Sequence, residues 1–185
     1  MRIDSRMAKI FTNKRVIALG SDAVNKLKKG ADTIADLVKS TLGPSGRNVV
    51  IGVRGGTPTI TNDGVTIAKD VFLVDEIEDL GARVMREVSI QTNDKVGDGT
   101  TTAMVLAQAI LKKGLENVGN KADVISDHIQ NPIRLKQTID AECAAVAEKL
   151  TKSAKQIKTK EDLRNVARVS AENETLALAV ADTFF

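Results

Sequence analysis

The sequence predicts a mainly α-helical protein, a bundle of packed helices with one small β-hairpin. Hydrophobic residues make up 42% of the 185-residue chain, which is enough to build a core. Aromatic residues make up only 2%, so the core must consist of Val, Ile, Leu and Ala, which suits packed helices. Apolar residues recur at intervals of three and four over several segments, whereas two short runs are rich in β-branched residues.

The first predicted helix covers about residues 23–41, and Asp22 precedes it as the predicted N-cap. Its apolar face is formed by Val24, Leu27, Ala31, Ile34, Leu37 and Val38. The Gly-Pro pair at 43–44 ends this helix. Residues 48–51 and 59–61 are predicted as the two strands of a hairpin, because both runs are β-branched and the segment between them holds three glycines and a proline.

Three longer helices are predicted after the hairpin. The acidic stretch 75–79 marks the start of the first, because negative charge meets the positive end of the helix dipole there, and this helix should extend to about residue 93. The second covers residues 100 to about 113, and the third begins at Pro132 and reaches Leu150. The polar residues 114–131 between them are predicted as a loop.

The composition changes after the third of these helices. A lysine-rich stretch, residues 151–160, predicts a boundary. Two short helices follow, over residues 161–169 and 175–185. Because the last one ends on two phenylalanines without a cap or a polar tail, we expect the natural chain to continue beyond it.

Charge, cysteine and histidine content argue against several classes of function. The 27 basic and 24 acidic residues are well mixed and give a net charge of +3, so no nucleic-acid partner is expected. A single cysteine excludes an internal disulfide, and a single histidine, His128 in the predicted loop, leaves no zinc cluster. Cys143 lies in the apolar series of the third long helix and is interpreted as a small core side chain rather than a nucleophile.

The sequence also bears on location. No segment approaches the ~20 apolar residues of a membrane span, so no membrane association is expected. The N-terminus lacks the apolar stretch of a secretory signal, which favours a cytoplasmic location. Residues 1–15 carry five basic residues against one acidic residue, and an organellar presequence therefore remains the alternative.

Three glycine-marked turns are the main candidates for a functional site, at residues 41–46, 61–64 and 97–102. In the third turn, Asp98 lies between two glycines and is followed by three threonines at a predicted helix start. Glycines let the backbone approach an oxyanion, a helix N-terminus favours negative charge, and hydroxyl groups add donors. This pattern is typical of a magnesium-bound phosphate site in which Asp98 supplies an oxygen ligand.

A simpler alternative is that Asp98 is an N-cap in an ordinary tight turn. If the fold gathers the three turns, they would instead form a phosphate cradle, with one carboxylate for the metal and a second to position a water for in-line attack. No Walker-type motif and no Gly-x-Gly-x-x-Gly motif occurs. The pattern therefore indicates a nucleotide site of another kind.

The three turns, in this order and at this spacing, closely resemble those of the bacterial and organellar chaperonins, the group I or 60 kDa chaperonin family. Asn131-Pro132, followed by Leu135-Lys136 and Ile139-Asp140, continues the likeness, which extends from about residue 10 onward. The resemblance implies the helical bundle of a chaperonin equatorial domain with a small β-hairpin, plus the start of an α/β intermediate domain. It assigns residues 1–152 to the first segment of the ATP-binding equatorial domain and residues 153–185 to the first, truncated segment of the intermediate hinge domain.

The resemblance also implies ATP and Mg²⁺ as cofactors and gives roles to individual residues. Asp98 would hold the metal, and Asp63 would be the catalytic residue, near the γ-phosphate, where it helps to orient the attacking water. Some family members carry lysine where this chain has Asn62. The residues expected to contact the nucleotide are Thr41, Leu42, Gly43, Pro44, Asn62, Asp98, Gly99, Thr100, Thr101 and Thr102.

Finally, the resemblance implies an ATP-dependent chaperone subunit that assists protein folding and, in its complete form, assembles into a homo-oligomeric double ring. Unfolded client proteins and a co-chaperonin lid would bind through parts absent from this sequence. The hairpin around residues 49–61 would pair with the termini of a neighbouring subunit. Because a second catalytic aspartate would also lie outside this sequence, the chain alone is expected to hydrolyse ATP very slowly or not at all. The alternative function is a non-catalytic module that associates with complete chaperonin subunits.

Overall fold

The computed structural model describes residues 10–12, 15–52, 55–118, 131–171 and 173–185. This part of the chain forms two short hairpins and seven helices, so the predicted mainly helical class with a small β-hairpin is confirmed. In chain order the elements are β1 (Ile10–Thr12), β2 (Arg15–Ile17), α1 (Gly20–Lys39), β3 (Val49–Ile51), β4 (Thr59–Thr61), α2 (Gly64–Asp70), α3 (Glu76–Val96), α4 (Thr100–Val118), α5 (Pro132–Ser153), α6 (Lys160–Ala171) and α7 (Glu174–Phe184).

The chain divides into two compact units, Met1–Gln130 and Asn131–Phe185. The first unit holds both hairpins and α1 to α4, and the second holds α5 to α7. The domain boundary expected between residues 152 and 153 stays a prediction. His128 and most of the predicted loop around it lie outside the described residues. Within the described ranges, no helix combines the length and the apolar character that a membrane span requires.

The core of the first unit lies where α1, α3 and α4 pack against one another, with α2 contributing from its buried face. Its largest fully buried side chains include Ile34, Val38, Ile67, Met85 and Met104. Buried alanines occupy the positions between them and let the helices come close together. The strands β3 and β4 pair antiparallel, with Val49 opposite Thr61, and β3 packs Val49 and Ile51 against this core. The predicted hairpin is therefore present.

The helices α1 and α3 cross at two glycines. A Cβ atom added to Gly30 would lie 1.7 Å from the backbone oxygen of Glu78, and one added to Gly81 would lie 1.9 Å from the backbone oxygen of Leu27. Contacts under 3.0 Å are essentially never made by real Cβ atoms. Neither position can therefore carry a side chain unless the two helices move apart.

Two lysines of α1 form ion pairs with the start of α3. Lys26 Nζ lies 2.7 Å from Asp75 Oδ2, and Lys29 Nζ lies 2.7 Å from Glu78 Oε1. Asp75 is also the N-cap of α3 and accepts hydrogen bonds from the N–H groups of Ile77 and Glu78. The Lys26 ammonium and these N–H groups lower the pKa of Asp75 to about 2. The prediction that the acidic stretch starts a helix is confirmed.

Several predicted helix bounds are corrected. The helix α1 begins at Gly20 with Leu19 as its N-cap, so the prediction of Asp22 as N-cap is wrong; Asp22 lies in the first turn, where its charge still meets the dipole. The helix α2 was not predicted, because seven residues are too short for a helical period to stand out. It forms because Asp63 caps it and because all its apolar residues are buried. The helices α3 and α4 also end later than predicted, at Val96 and Val118.

In the second unit, α5 begins as predicted, with Asn131 as N-cap and Pro132 in the first turn. Among the described residues, none of those in α5 is buried, and Cys143 is exposed. The interpretation of Cys143 as a core residue is therefore wrong, because an apolar stripe determines which face of a helix can be buried but not whether another element covers it. The helices α6 and α7 do pack together, and they bury Ala177 and Ala181.

We expect Gly30→Ala and Gly81→Ala each to lower the free energy of unfolding by about 3 kcal/mol, because the added methyl group forces α1 and α3 apart. Helix propensity alone would act in the opposite direction, by about 1 kcal/mol in favour of alanine. Gly52→Ala is the control, since a Cβ there meets nothing within 4 Å. Urea unfolding followed by circular dichroism measures all three, and a Gly30→Ala variant as stable as the control would contradict the close crossing.

We expect Asp75→Asn to reduce the sensitivity of the first unit to acid. The pKa of Asp75 is lowered from 3.8 to about 2 in the folded state, so its charged form stabilises the fold above the unfolded pKa, and this contribution is lost as the pH falls through about 2. Asparagine keeps the N-cap but does not titrate. The free energy of unfolding should therefore fall less steeply from about pH 4 to about pH 2 in this variant than in Asp70→Asn, which removes an exposed carboxyl group elsewhere. Equal slopes would contradict the assignment.

Candidate functional site

The three glycine-marked turns lie at the C-terminal end of α1, the N-terminal end of α2 and the N-terminal end of α4. Gly64 shows that these ends meet. A Cβ added to Gly64 would lie 2.6 Å from Thr101 Oγ1, 3.0 Å from Thr100 Oγ1 and 3.1 Å from Val38 Cγ1. The second turn therefore lies directly against the start of α4 and the last turns of α1, and a side chain at position 64 would have to displace the threonine hydroxyls.

The first turn follows directly from α1. The hydroxyl of Thr41 donates to the backbone oxygen of Val38 at 2.7 Å, and so ties the turn to the residue that contacts Gly64. The N–H of Gly46 donates to the oxygen of Gly43 at 2.9 Å. Gly43 has a φ of 78°, which favours glycine, and a Cβ on Gly46 would lie 2.1 Å from the oxygen of Thr41. The turn is thus held by its own backbone, whereas the side chain of Leu42 is exposed.

The second turn holds Asp63 as the N-cap of α2. Its carboxylate accepts hydrogen bonds from the N–H of Val65 at 3.3 Å, the N–H of Thr66 at 3.0 Å and the hydroxyl of Thr66 at 2.6 Å. These three bonds fix the orientation of the carboxylate. Because a carboxylate has about four lone-pair sites, it can still accept a hydrogen bond from a water molecule. Asp63 and Asn62 are both exposed.

The third turn connects α3 to α4. Gly97 is the C-cap of α3, and both Gly97 and Gly99 have positive φ angles, of 79° and 78°. The oxygen of Gly99 accepts the N–H of Ala103 at 2.9 Å, which makes Gly99 the residue before the first helical one. Asp98 therefore precedes the N-cap position, and its Oδ1 accepts the N–H of Gly99 at 2.6 Å. The carboxylate of Asp98 lies on an exposed turn, between two positions whose positive φ angles favour glycine.

The start of α4 combines several donor groups. The first N–H groups of a helix have no partner within it, and the helix dipole places partial positive charge there. Thr100 is buried, Thr101 is half-buried and Thr102 is exposed, so the threonines pass from the core to the surface. Such an end can bind phosphate oxygens, and the carboxylate of Asp98 beside it has the ligand type that Mg²⁺ prefers.

A metal held here would take only part of its ligands from the chain. Among the residues that the structure describes, no three His, Cys, Asp or Glu side chains come close enough together to hold a metal ion. Mg²⁺ commonly binds through one or two carboxylates and completes its shell with water and phosphate oxygens. A site with Asp98 as a ligand therefore fits Mg²⁺ in the company of a phosphate better than Mg²⁺ alone.

Sequence reasoning singled out the three turns but not all the residues that position them. Val38 was noted only as part of an apolar face, although it contacts Gly64. The hydroxyl bond from Thr66 to Asp63 was also missed. The signal for this cap is an aspartate just before the mostly apolar residues 65–68, since aspartate is a preferred N-cap residue.

Comparison with known proteins identifies similar chains. The model of the TCP-1/cpn60 chaperonin family matches residues 34–183, a range that contains all three turns. Two crystal forms of the chaperonin gp146 from the bacteriophage EL 2 (Pseudomonas aeruginosa), both in the presence of ATP-BeFx, match 89% of this chain at 28% sequence identity, with TM-scores of 0.71 and 0.72. This chain spans 28% of the length of that chaperonin.

We expect Gly64→Ala to displace the hydroxyl of Thr101, since the new Cβ would lie 2.6 Å from Thr101 Oγ1. The obstacle is a side chain that can rotate, so the loss in unfolding free energy should be about 1 kcal/mol. Thr101→Ala removes this oxygen, and the double variant should therefore recover most of the loss. Urea unfolding of the four proteins in this double-mutant cycle measures the coupling. Strictly additive effects would contradict the contact.

Proposed function

This chain belongs to the TCP-1/cpn60 chaperonin family, and on that basis we propose that it carries the phosphate- and magnesium-binding part of an ATP site in a subunit that assists protein folding. The observation that carries the proposal is the close approach of Gly64 to Thr100 and Thr101, whose hydroxyl oxygens would lie 3.0 and 2.6 Å from a Cβ at position 64. It brings the turn that holds Asp63 against the helix end that is preceded by Asp98. Two carboxylates and a phosphate-binding helix end are thus contributed by adjoining parts of one unit.

In the proposed site, the start of α4 binds the phosphates. The N–H groups of the first helical residues, with the hydroxyls of Thr100, Thr101 and Thr102, donate to phosphate oxygens. The N–H of Gly99, which donates to Asp98 Oδ1 in this structure, turns to the phosphate when it binds. Thr41, Leu42, Gly43 and Pro44 lie along the nucleotide, and Asn62 contacts it from the second turn. Leu42 is exposed and half-buried Thr41 is tied to Val38, so the first turn offers an apolar side chain on a fixed backbone.

The two aspartates have separate roles in the proposal. Asp98 holds Mg²⁺, which when bound neutralises the phosphate charge and orients the transferred group. Asp63 is the catalytic residue, and it orients the attacking water through a carboxylate that is itself held by Val65 and Thr66. A fixed acceptor loses less entropy when it orders a water than a mobile one would.

We further propose that the chain is of the bacterial and organellar type and corresponds to the first equatorial segment and the start of the intermediate domain, with a cytoplasmic location. The sequence of the three turns supports the type, and the 28% span relative to the phage chaperonin supports the placement within a longer subunit. A complete subunit would form a homo-oligomeric double ring and bind unfolded clients and a co-chaperonin lid. Among the described residues, the hairpin β3–β4 is a sheet of two strands only, so the outer edge of each strand is open to pairing with a strand of a neighbouring subunit. The exposed side chains of Val50 and Ile60 would add apolar contacts there.

Calorimetric titration of the 185-residue chain with Mg-ATP tests the proposed site. Asp98→Ala should weaken binding tenfold or more, because a charged ligand group is worth about 1.5 kcal/mol or more. Asp70→Ala, at the other end of α2, is the control for removal of an exposed carboxylate. The difference between Asp98→Ala and the unaltered chain should vanish when EDTA removes the metal, since the carboxylate then has no cation to hold.

Two results would count against this assignment. Equal affinities of Asp98→Ala and Asp70→Ala would remove Asp98 from the site, and a difference that persists in EDTA would remove its role as a metal ligand. A folded chain that binds no Mg-ATP but assembles with complete chaperonin subunits would support the non-catalytic interaction module instead.

A further inference from the structure

A buried ion pair lies on the side of α3 that faces the connector between α2 and α3, residues 71–75. Arg86 Nη2 lies 3.0 Å from Asp79 Oδ1, and each side chain is only 9% exposed. The two residues are seven positions apart, which places them on the same face of α3, two turns from each other. An ion pair this well buried is retained only where its remaining hydrogen-bonding groups are satisfied.

The connector supplies those remaining partners. The N–H of Leu73 donates to Asp79 Oδ1 at 3.2 Å, and Arg86 Nη1 donates to the backbone oxygen of Val71. The guanidinium of Arg86 also lies over the ring of Phe72, 4.7 Å from its centroid. Three successive connector residues are thus held by one pair of side chains.

The charge on Asp79 is maintained despite its burial. Desolvation acts to raise the pKa of this carboxyl group, but the N–H of Leu73 and the guanidinium groups of Arg86 and Arg83 outweigh it, and the pKa lies below its usual value. Arg83 also binds Asp79, through Nε at 3.0 Å from Oδ2, but its side chain is 65% exposed. Only Arg86, of these two arginines, also donates a hydrogen bond to the connector.

The connector determines where α2 lies. Val71, whose oxygen accepts from Arg86, is the C-cap of α2, and α2 is only seven residues long. Its opposite end holds Asp63 and Gly64, the latter against Thr101. Because α2 has only about two turns, we expect a shift at its C-terminal end to reach its N-terminal end. The buried Ile67 and Ala68 keep α2 attached to the core. Loss of the bonds from Asp79 and Arg86 to the connector is therefore expected to shift α2 rather than to unfold it.

We propose that Asp79 and Arg86 are positioning residues for α2, and that they set the placement of Asp63 and of the Gly64–Thr101 contact from the far end of that helix. The consequence for nucleotide binding rests on the proposed function, whereas the consequence for α2 does not. The competing explanation is a general stabilising role, in which loss of the pair loosens the whole first unit equally.

Hydrogen exchange of individual amides separates these explanations. The amides of Val65 and Thr66, which donate to Asp63, report on the start of α2, and those of Ile34 and Met104 report on the core. Arg86→Lys keeps the charge, but a single ammonium group cannot replace the two guanidinium nitrogens that donate to Asp79 and to Val71 at the same time. We expect exchange at Val65 and Thr66 to accelerate about tenfold in Arg86→Lys, with Ile34 and Met104 unchanged within about twofold. Arg83→Lys is the matched control and should leave all four amides unchanged.

A second variant keeps the test decisive if Arg86→Lys does not fold. Replacing both partners, Asp79→Leu with Arg86→Met, leaves no buried unpaired charge and should preserve the fold, while it also removes both bonds to the connector. It should therefore reproduce the faster exchange at the start of α2. Equal acceleration of the core amides, or no difference from Arg83→Lys, would overturn the proposal.

Mg-ATP titration of the same variants tests the link to the site. We expect Arg86→Lys to weaken binding about threefold or more relative to Arg83→Lys. Faster exchange at Val65 and Thr66 with unchanged Mg-ATP affinity would overturn the link. If the unaltered chain binds no Mg-ATP, the proposed function fails, and the exchange result still decides whether Asp79 and Arg86 position α2.

Discussion

The close crossing of α1 and α3 at Gly30 and Gly81 is the constraint on which the rest of the first unit depends. Backbone meets backbone at this point, since a Cβ on either glycine would overlap a carbonyl oxygen of the other helix. The ion pairs of Lys26 with Asp75 and of Lys29 with Glu78 lie near the same crossing and favour one register of the two helices. Glycine within a helix is locally unfavourable. The close packing of α1 against α3 that these two glycines permit must therefore offset that cost.

Both ends of α3 lead to the candidate site. At its N-terminal side, Asp79 and Arg86 hold the connector from α2, and α2 in turn holds Asp63. At its C-terminal side, the positive φ angles of Gly97 and Gly99 turn the chain around Asp98 into α4. Residues that are far apart in the sequence are thereby brought to one end of the bundle, where Gly64 meets Thr101. The site is exposed and polar, but its geometry is set by buried contacts.

Local signals in the sequence predicted much of this arrangement. The acidic stretch marked the start of α3, the glycines around Asp98 marked the turn before α4, and two β-branched runs marked the hairpin β3–β4. The errors have local causes too. Asp22 has the side chain of an N-cap, but α1 extends upstream of it. The helix α2 is too short to show a period, and it exists because Asp63 caps it and the core buries one of its faces.

By itself, the sequence determined where the chain turns and which faces of its helices are apolar, because turn residues and periodicity act within a few neighbouring positions. It also singled out the side chains of the candidate site, since Asp63, Asp98 and the threonines lie in motifs that the sequence displays directly. Only the tertiary structure decided which apolar faces are covered: Ile34 is fully buried, whereas Cys143, on an equally regular stripe, is exposed. It alone also placed Gly64 against Thr101 and Arg86 against Val71. Such contacts depend on how helices cross in space, and no local pattern in the sequence carries that information.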